Sequence, residues 1–201
     1  MAWDRASAHY GRQVWLERSA VRDALNLLDA RTEDRLLDVG TGTGAVLRQL
    51  ARRSERPRDV VGVDASTAML AQVPDLPSGW VARPGDARCL PFGDGEFDVA
   101  VASYVLHVLS PADLRLALRE LTRVLRRGGR LVTITPVVTG RGAGCWLASA
   151  ADALARRHPE RYGGLRALDP RAALREAAFT LLRARTSLRG YPSLCVLAKT
   201  A

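Results

Sequence analysis

The chain predicts an α/β fold: a mainly parallel sheet with helices on both faces and one antiparallel edge. Three observations carry this. Strand-like and helix-like segments alternate along the 201 residues. The strand-like segments are short apolar runs rather than polar/apolar alternations, as expected of strands buried on both faces. The last two are joined only by a short turn around Gly190-Tyr191-Pro192. So short a link makes an antiparallel hairpin, because a parallel pair needs a long crossover.

In order, residues 12–28 carry Val14, Val21, Leu25 and Leu28 at helical spacing. A strand at 36–39 follows, then a helix at 45–53 with Val46, Leu47, Leu50 and Ala51 on one face. Residues 60–63 are a β-branched strand, and Ser66 caps a short helix through Ala71. Weak and stronger strands are expected at 80–82 and 99–102. Residues 111–126 form an amphipathic helix, with Leu114, Leu118, Leu121 and Leu125 on one face. Gly128-Gly129 is expected to end that helix, and 131–135 to be the next strand. Helices are expected at 143–157 and at 170–178, the latter with Asp169 as cap. Strands at 180–187 and 194–198 close the chain.

Composition is that of an ordinary globular protein, with 47% apolar and 25% charged residues. No stretch approaches the ~18 apolar residues of a membrane span. The start, MAWDRASAHY, has no apolar signal core, so a cytoplasmic location is expected. Cys89, Cys145 and Cys195 lie far apart with no metal spacing, and no metal is expected. The net charge is +9, and Lys199 is the only lysine. Residues 139–201 hold 11 basic against 4 acidic residues, so the last third carries most of the excess. Such a third suits an acidic substrate, an anionic membrane surface or nucleic acid. No aromatic residues interleave with the arginines as a stacking platform for single strands would require. A scattered, solvated set of arginines is the simpler reading.

The segment LLDVGTGTG places Gly40, Gly42 and Gly44 in the first strand–loop–helix. Open α/β sheets bind ligands at such a place, and the free N–H groups of the following helix favour a carboxylate or phosphate. The spacing is G-x-G-x-G, not the G-x-G-x-x-G of dinucleotide binders. Asp38 precedes the loop, where a negative charge suits an ammonium rather than a pyrophosphate. Asp64 ends the second strand and can accept from a ribose diol. Asp86, in GDARCLPF, follows the third strand and can accept from an exocyclic amine. Three acids at three successive strand ends suit a ligand with an amine, a ribose and an adenine.

Together with VVGVDAS, FDVAVASYVLHVL and RVLRRGGRLVTITP, these segments resemble class I S-adenosylmethionine-dependent methyltransferases of the small-molecule type. The nearest likeness is to the ubiquinone/menaquinone-biosynthesis group. It covers about residues 33–136, in the family's order and spacing, and WDRASAHY resembles the aromatic stretch that opens many members. The resemblance implies a Rossmann-like seven-stranded sheet with an antiparallel last strand. It also implies a single domain, 1–201. Within it, 1–30 would be a cap helix and lid, 31–136 the donor-binding half, and 137–201 the acceptor-shaping segment with the edge strands.

Carried over by position, Gly40, Thr41, Gly42 and Gly44 approach the methionine part, with Asp38 near its amino group. Asp64 takes the ribose hydroxyls, and Ala65 and Met69 pack by the adenine. Asp86 and the Ala87 N–H meet the adenine edge, and Ser103 lies beside the sulfonium. The product would be S-adenosylhomocysteine. The family's glycine before Phe179 is Ala178 here.

Methyl transfer is an in-line displacement that mainly needs alignment and exclusion of water. A base is needed only where the acceptor keeps its proton near neutral pH. His107, His9 and Tyr10 are the candidates; a packed histidine in VLHVL is the alternative for His107. Residues 137–179 would shape the pocket of a medium-sized, partly apolar or anionic acceptor. Three other readings compete. A nucleic-acid methyltransferase is opposed by ASYVLH, which lacks the Asn/Asp-Pro-Pro-aromatic pattern that holds a flipped base. A nicotinamide dehydrogenase is opposed by the glycine spacing and Asp38. A non-catalytic S-adenosylmethionine-binding protein would keep the same loop. Neither the acceptor nor the oligomeric state is written in these residues.

Overall fold

The computed structural model describes residues 14–138, 166–189 and 192–201. Seven strands form one sheet in the order β3-β2-β1-β4-β5-β7-β6. They are β1 (Arg35–Val39), β2 (Asp59–Asp64), β3 (Trp80–Pro84), β4 (Phe97–Ser103), β5 (Leu125–Pro136), β6 (Thr180–Ser187) and β7 (Ser193–Lys199). The first five pair in parallel, and β7 pairs antiparallel with both β5 and β6. The expected antiparallel edge is therefore present. Helices are α1 (Val14–Leu28), α2 (Ala45–Ala51), α3 (Thr67–Leu70), α4 (Pro111–Val124) and α5 (Arg171–Glu176), with a 3-10 turn at Leu106–Val108. The expected helix at 143–157 lies outside the described residues.

Alternate side chains of each central strand feed two cores. Leu36, Val60, Val99, Val101, Val132 and Ile134 pack under α1 and α2. Leu37, Val39, Ala100, Ala102 and Leu131 pack under α4 and α5 with Leu118, Leu121 and Phe179. Burial on both faces is why these strands read as apolar runs. Ser66 caps α3 as its sequence position suggests, its hydroxyl accepting from the Met69 N–H at 3.3 Å. Ser110 caps α4 in the same way, at 3.1 Å from the Asp113 N–H.

Gly128-Gly129 does not cap α4. The helix stops at Val124, and β5 begins at the next residue. Leu125 pairs with Phe97, and the ladder resumes only at Arg130 opposite Val99. The two glycines lie in the bulge between. Gly128 is left-handed (φ 69°), and a Cβ on Gly129 would sit 2.7 Å from the Arg126 carbonyl. A tight irregularity inside a strand needs small residues for the same reason a helix end does, so the sequence signal was ambiguous.

Candidate functional site

The strand order reverses between β1 and β4, and the crevice at their C-terminal ends is where such sheets bind ligands. A cleft of about 210 Å³ lies there. Its walls come from four strand ends: Gly40 and Gly42 after β1, Asp64 and Ala65 at the end of β2, Gly85 to Arg88 after β3, and Tyr104, Val105, Val108 and Leu109 after β4. Seven of the eleven residues assigned to the cofactor from the sequence line it: Gly40, Gly42, Asp64, Ala65, Met69, Asp86 and Ala87.

The glycine loop is tied down at several points. The Gly40 and Thr41 N–H groups both donate to the Val63 carbonyl, at 2.8 and 3.0 Å. A Cβ on Gly40 would lie 2.6 Å from the Val105 side chain, so the loop presses against the residues after β4. Gly42 differs. It is left-handed (φ 55°), and a Cβ there meets nothing closer than the Gly40 carbonyl at 4.0 Å. A side chain at Gly42 would be opposed by backbone strain and by any ligand in the cleft, not by its protein neighbours. Gly44 has another reason for being glycine: a left-handed entry into α2, with Val73 3.3 Å from an added Cβ.

The three acids are placed unequally. Asp38 is fully buried beneath the loop. Thr41 Oγ1 donates to its Oδ2 at 2.6 Å, while Oδ1 has no hydrogen-bond partner. Burial raises its pKa to about 7; the Thr41 hydrogen bond opposes the rise and the Asp64 charge adds to it. An unpaired buried carboxylate oxygen of this kind is what an amino-acid ammonium would satisfy. Asp64 braces the loop, its Oδ2 accepting from the Gly42 N–H and its Oδ1 from the Ser66 N–H, both at 2.8 Å. Its carboxylate also lines the cleft at the end of β2, where a ribose hydroxyl could donate to it. Asp86 is gripped by Arg88 through Nε and Nη2, which also holds its carboxyl below the usual range. An adenine amine can reach Asp86 once that guanidinium swings aside. The arrangement fits S-adenosylmethionine at the loop and at Asp64, and at Asp86 with that one movement.

Ser103 ends β4 without lining the cleft; its neighbour Tyr104 lines it instead. Tyr104 is left-handed (φ 52°), and its hydroxyl lies 2.5 Å from Ser193 Oγ. Sequence reasoning missed Tyr104, together with the apolar wall of Val105, Val108 and Leu109. The segment YVLHVL held the signal, but its apolar residues read equally as core.

His107 is 1% exposed and lies outside the cleft lining, its ring edge-on to Tyr104 at 6.1 Å between centroids. Neither ring nitrogen has a partner. Burial, then the Arg166 charge, lowers its pKa to about 3, so the ring is neutral. Arg166 straps this turn, with Nε on the His107 carbonyl at 3.1 Å and Nη2 on the Leu109 carbonyl at 2.5 Å. His9 and Tyr10 lie outside the described residues. Among the described residues no cluster of His, Cys, Asp or Glu could hold a metal ion.

Known proteins agree with this geometry. Residues 37–133 match the methyltransferase-domain family. A demethylmenaquinone methyltransferase from Beutenbergia cavernae is 43% identical over 121 residues, 58% of this chain and 47% of that protein. A malonyl-[acyl-carrier protein] O-methyltransferase from Erwinia billingiae is 31% identical over 134 residues, 67% of this chain and 51% of that protein. The chain thus spans about half the length of the curated relatives it matches. Among solved structures, Burkholderia thailandensis 1,6-didemethyltoxoflavin-N1-methyltransferase superposes with a TM-score of 0.68 at 23% identity, over 98% of this chain and 84% of that one. That structure holds its substrate and S-adenosylhomocysteine. At that identity the likeness speaks for the fold. The glycine loop and the strand-end acids all fall within the matched segment, so residues 37–133 are similar to a methyltransferase domain in sequence and in the placement of these residues.

Proposed function

We propose that the chain transfers a methyl group from S-adenosylmethionine to a small-molecule acceptor. The observation that carries this reading is the cleft at the β1/β4 crossing, where the glycine loop, Asp64 and Asp86 meet an apolar wall. Bound there, the donor supplies an electrophilic methyl group on a positive sulfur. The protein's part is positional. Asp38 Oδ1 receives the ammonium, Asp64 the ribose diol and Asp86 the adenine amine. Met69 and Ala65 cover the ring, while Val105, Val108 and Leu109 keep water from the reacting line.

The acceptor is medium-sized and partly apolar or anionic. The apolar wall supports the first property, and the basic excess of residues 139–201 the second. The named relatives span both kinds: one methylates demethylmenaquinone and another a malonyl thioester carrier. Residues 1–30 would serve as cap and lid, and 137–201 would shape the acceptor side. His107 would act as a base only for an acceptor that displaces Tyr104; His9 and Tyr10 would act through the lid. No helix among the described residues is long and apolar enough to cross a membrane. A cytoplasmic setting suits the free thiols of Cys89 and Cys195.

Calorimetric titration with S-adenosylmethionine, with NADH as control, tests the donor. Saturable binding of the first and silence with the second is expected. Asp64→Ala and Gly42→Val should each weaken it at least tenfold. Unchanged binding in Gly42→Val would remove the loop from the site. Product formation with quinol and carboxylate acceptors then separates an enzyme from a non-catalytic binder.

A further inference from the structure

A second concavity lies under the opposite core, between α1 and α2. It is an open groove of about 650 Å³ and shares no lining residue with the glycine-loop cleft. Its walls carry Trp15, Arg18 and Arg22 on α1, Arg52 and Arg53 just beyond α2, and Arg189 from the β6–β7 turn. The spacing 15, 18, 22 is one helical stripe, so α1 turns an aromatic ring and two guanidiniums the same way. The walls are cross-braced. Gln49 Nε2 donates to the Arg18 carbonyl at 3.1 Å, Arg53 Nη2 donates to Asn26 Oδ1 at 2.6 Å, and the Ser19 hydroxyl donates to the Arg189 carbonyl.

Arginine is nearly the only basic residue in this chain, so arginines alone would prove nothing. Their gathering does. Like Arg58, Arg83, Arg115, Arg119 and Arg127, the five arginines of the groove form no ion pair among the described residues, but only these five surround one concavity, with no carboxylate in its lining. Neighbouring Arg48 shows the consequence: burial first, then the charges of Arg52 and Arg18, lower its pKa. The helix dipole accounts for Arg52 and Arg53 at a C-terminus, but not for Arg18 and Arg22 in mid-helix or Arg189 in a turn. Trp15 is 65% exposed beside them, a large apolar ring open to solvent.

We propose that this groove binds a nucleoside polyphosphate, with its phosphates on the arginines and its base on Trp15. Guanidiniums grip phosphate oxygens in bidentate fashion, and a planar base stacks on indole. The volume lies within the ~300–1,000 Å³ of small-molecule sites. Arg18, Arg22, Arg52 and Arg189 are exposed around the concavity, where a folded phosphate chain can meet them together. The same chemistry occurs in a free nucleotide and at the end of a nucleic acid strand.

The test is calorimetry on the full chain at low salt without magnesium. S-adenosylhomocysteine is kept saturating so that adenosine-bearing probes cannot enter the donor cleft. ATP should bind at one site, tripolyphosphate more weakly and adenosine not at all. Arg22→Gln with Arg52→Gln should lower ATP affinity at least tenfold. Trp15→Ala should lower ATP affinity about fivefold or more and leave tripolyphosphate unchanged. A merely structural cluster would not produce that split. Because the glutamines relieve like-charge repulsion, the double variant should melt above the wild type and lose the upward melting shift that tripolyphosphate gives the wild type. No saturable ATP heat would overturn the proposal, as would ATP binding that the arginine variants leave intact. A ten-nucleotide RNA that binds while ATP is silent would overturn it too, assigning the groove to a nucleic acid strand.

Discussion

Thr41 holds one carboxylate oxygen of Asp38 at 2.6 Å and leaves the other, fully buried, without a partner. The pair works as a half-filled socket. One oxygen is oriented by the loop that must close on the ligand, and the second waits for a donor. On the proposed reading, donor binding and the loss of the Asp38 proton are the same event.

With a pKa near 7, Asp38 carries a proton in the free protein below neutrality. Pairing with an ammonium requires the carboxylate, so binding expels that proton. The affinity for S-adenosylmethionine should therefore fall as pH drops below about 7, approaching tenfold per unit. It should level off above 7 until the ligand's own amine titrates. Calorimetry near pH 6 in buffers of different ionisation enthalpy should show close to one proton released. Glu17, also raised to about 7 by burial, lies outside the cleft and belongs to both states. Asp38→Asn should bind weakly and with a flat pH profile; a persisting slope would move the titration to another group.

On the proposed reading, Arg88 competes with the donor's adenine for Asp86. It makes an exposed ion pair, and such pairs add little to folding. Arg88→Ala should leave the melting temperature nearly unchanged and tighten S-adenosylmethionine binding roughly two- to tenfold, the worth of one hydrogen bond. Weaker binding in this variant would mean that Arg88 itself holds the ligand.

How far the sequence carried this reading depends on the range of each interaction. The glycine loop and the acids at strand ends are local signals, because the loop starts directly after β1 and each acid lies within two residues of the end of its own strand. The edge hairpin was legible because its link is too short for a crossover. Tyr104 was not, since its left-handed backbone comes from contacts on Ile134 and Ser193, distant in sequence. Arg88 folding onto Asp86 depends on a rotamer. The arginine groove was invisible as well, because Arg22, Arg52 and Arg189 meet only when α1, α2 and the last hairpin share one face of the sheet.

His107 makes a prediction about acid. Its ring is held neutral in the folded state, with a pKa near 3 against 6.5 in an ordinary setting. The unfolded chain therefore binds the extra proton first, and this group's contribution to stability falls as pH drops below about 6.5. His107→Phe should remove that term, so stability between pH 6.5 and pH 4 should decline less steeply than in the wild type. In proton-titration NMR the wild-type ring should show no midpoint near 6.5. A normal midpoint would show that the ring reaches water, and would strengthen its claim as a base.

Ala178 stores strain at the end of α5. The Phe179 N–H donates to the Leu174 carbonyl at 2.9 Å and the Ala178 N–H to the Arg175 carbonyl at 3.0 Å, the two bonds of a Schellman ending. Phe179 and Leu174 bury the hydrophobic contact that accompanies such an ending. The residue between helix and Phe179 must then be left-handed, and Ala178 is (φ 64°). An L side chain there costs about 1–2 kcal/mol, and glycine loses part of that gain, about 0.5–1 kcal/mol, to its freer unfolded chain. Ala178 is exposed, so removing its methyl sacrifices little packing. Ala178→Gly should stabilise the protein by about 0.5–1 kcal/mol and raise the melting temperature by roughly 1–4 °C. Donor affinity should be unchanged, because the turn lies on the α5 side and outside the cleft. A lower melting temperature would mean that the chain around Ala178 is relaxed and that its left-handed turn costs nothing.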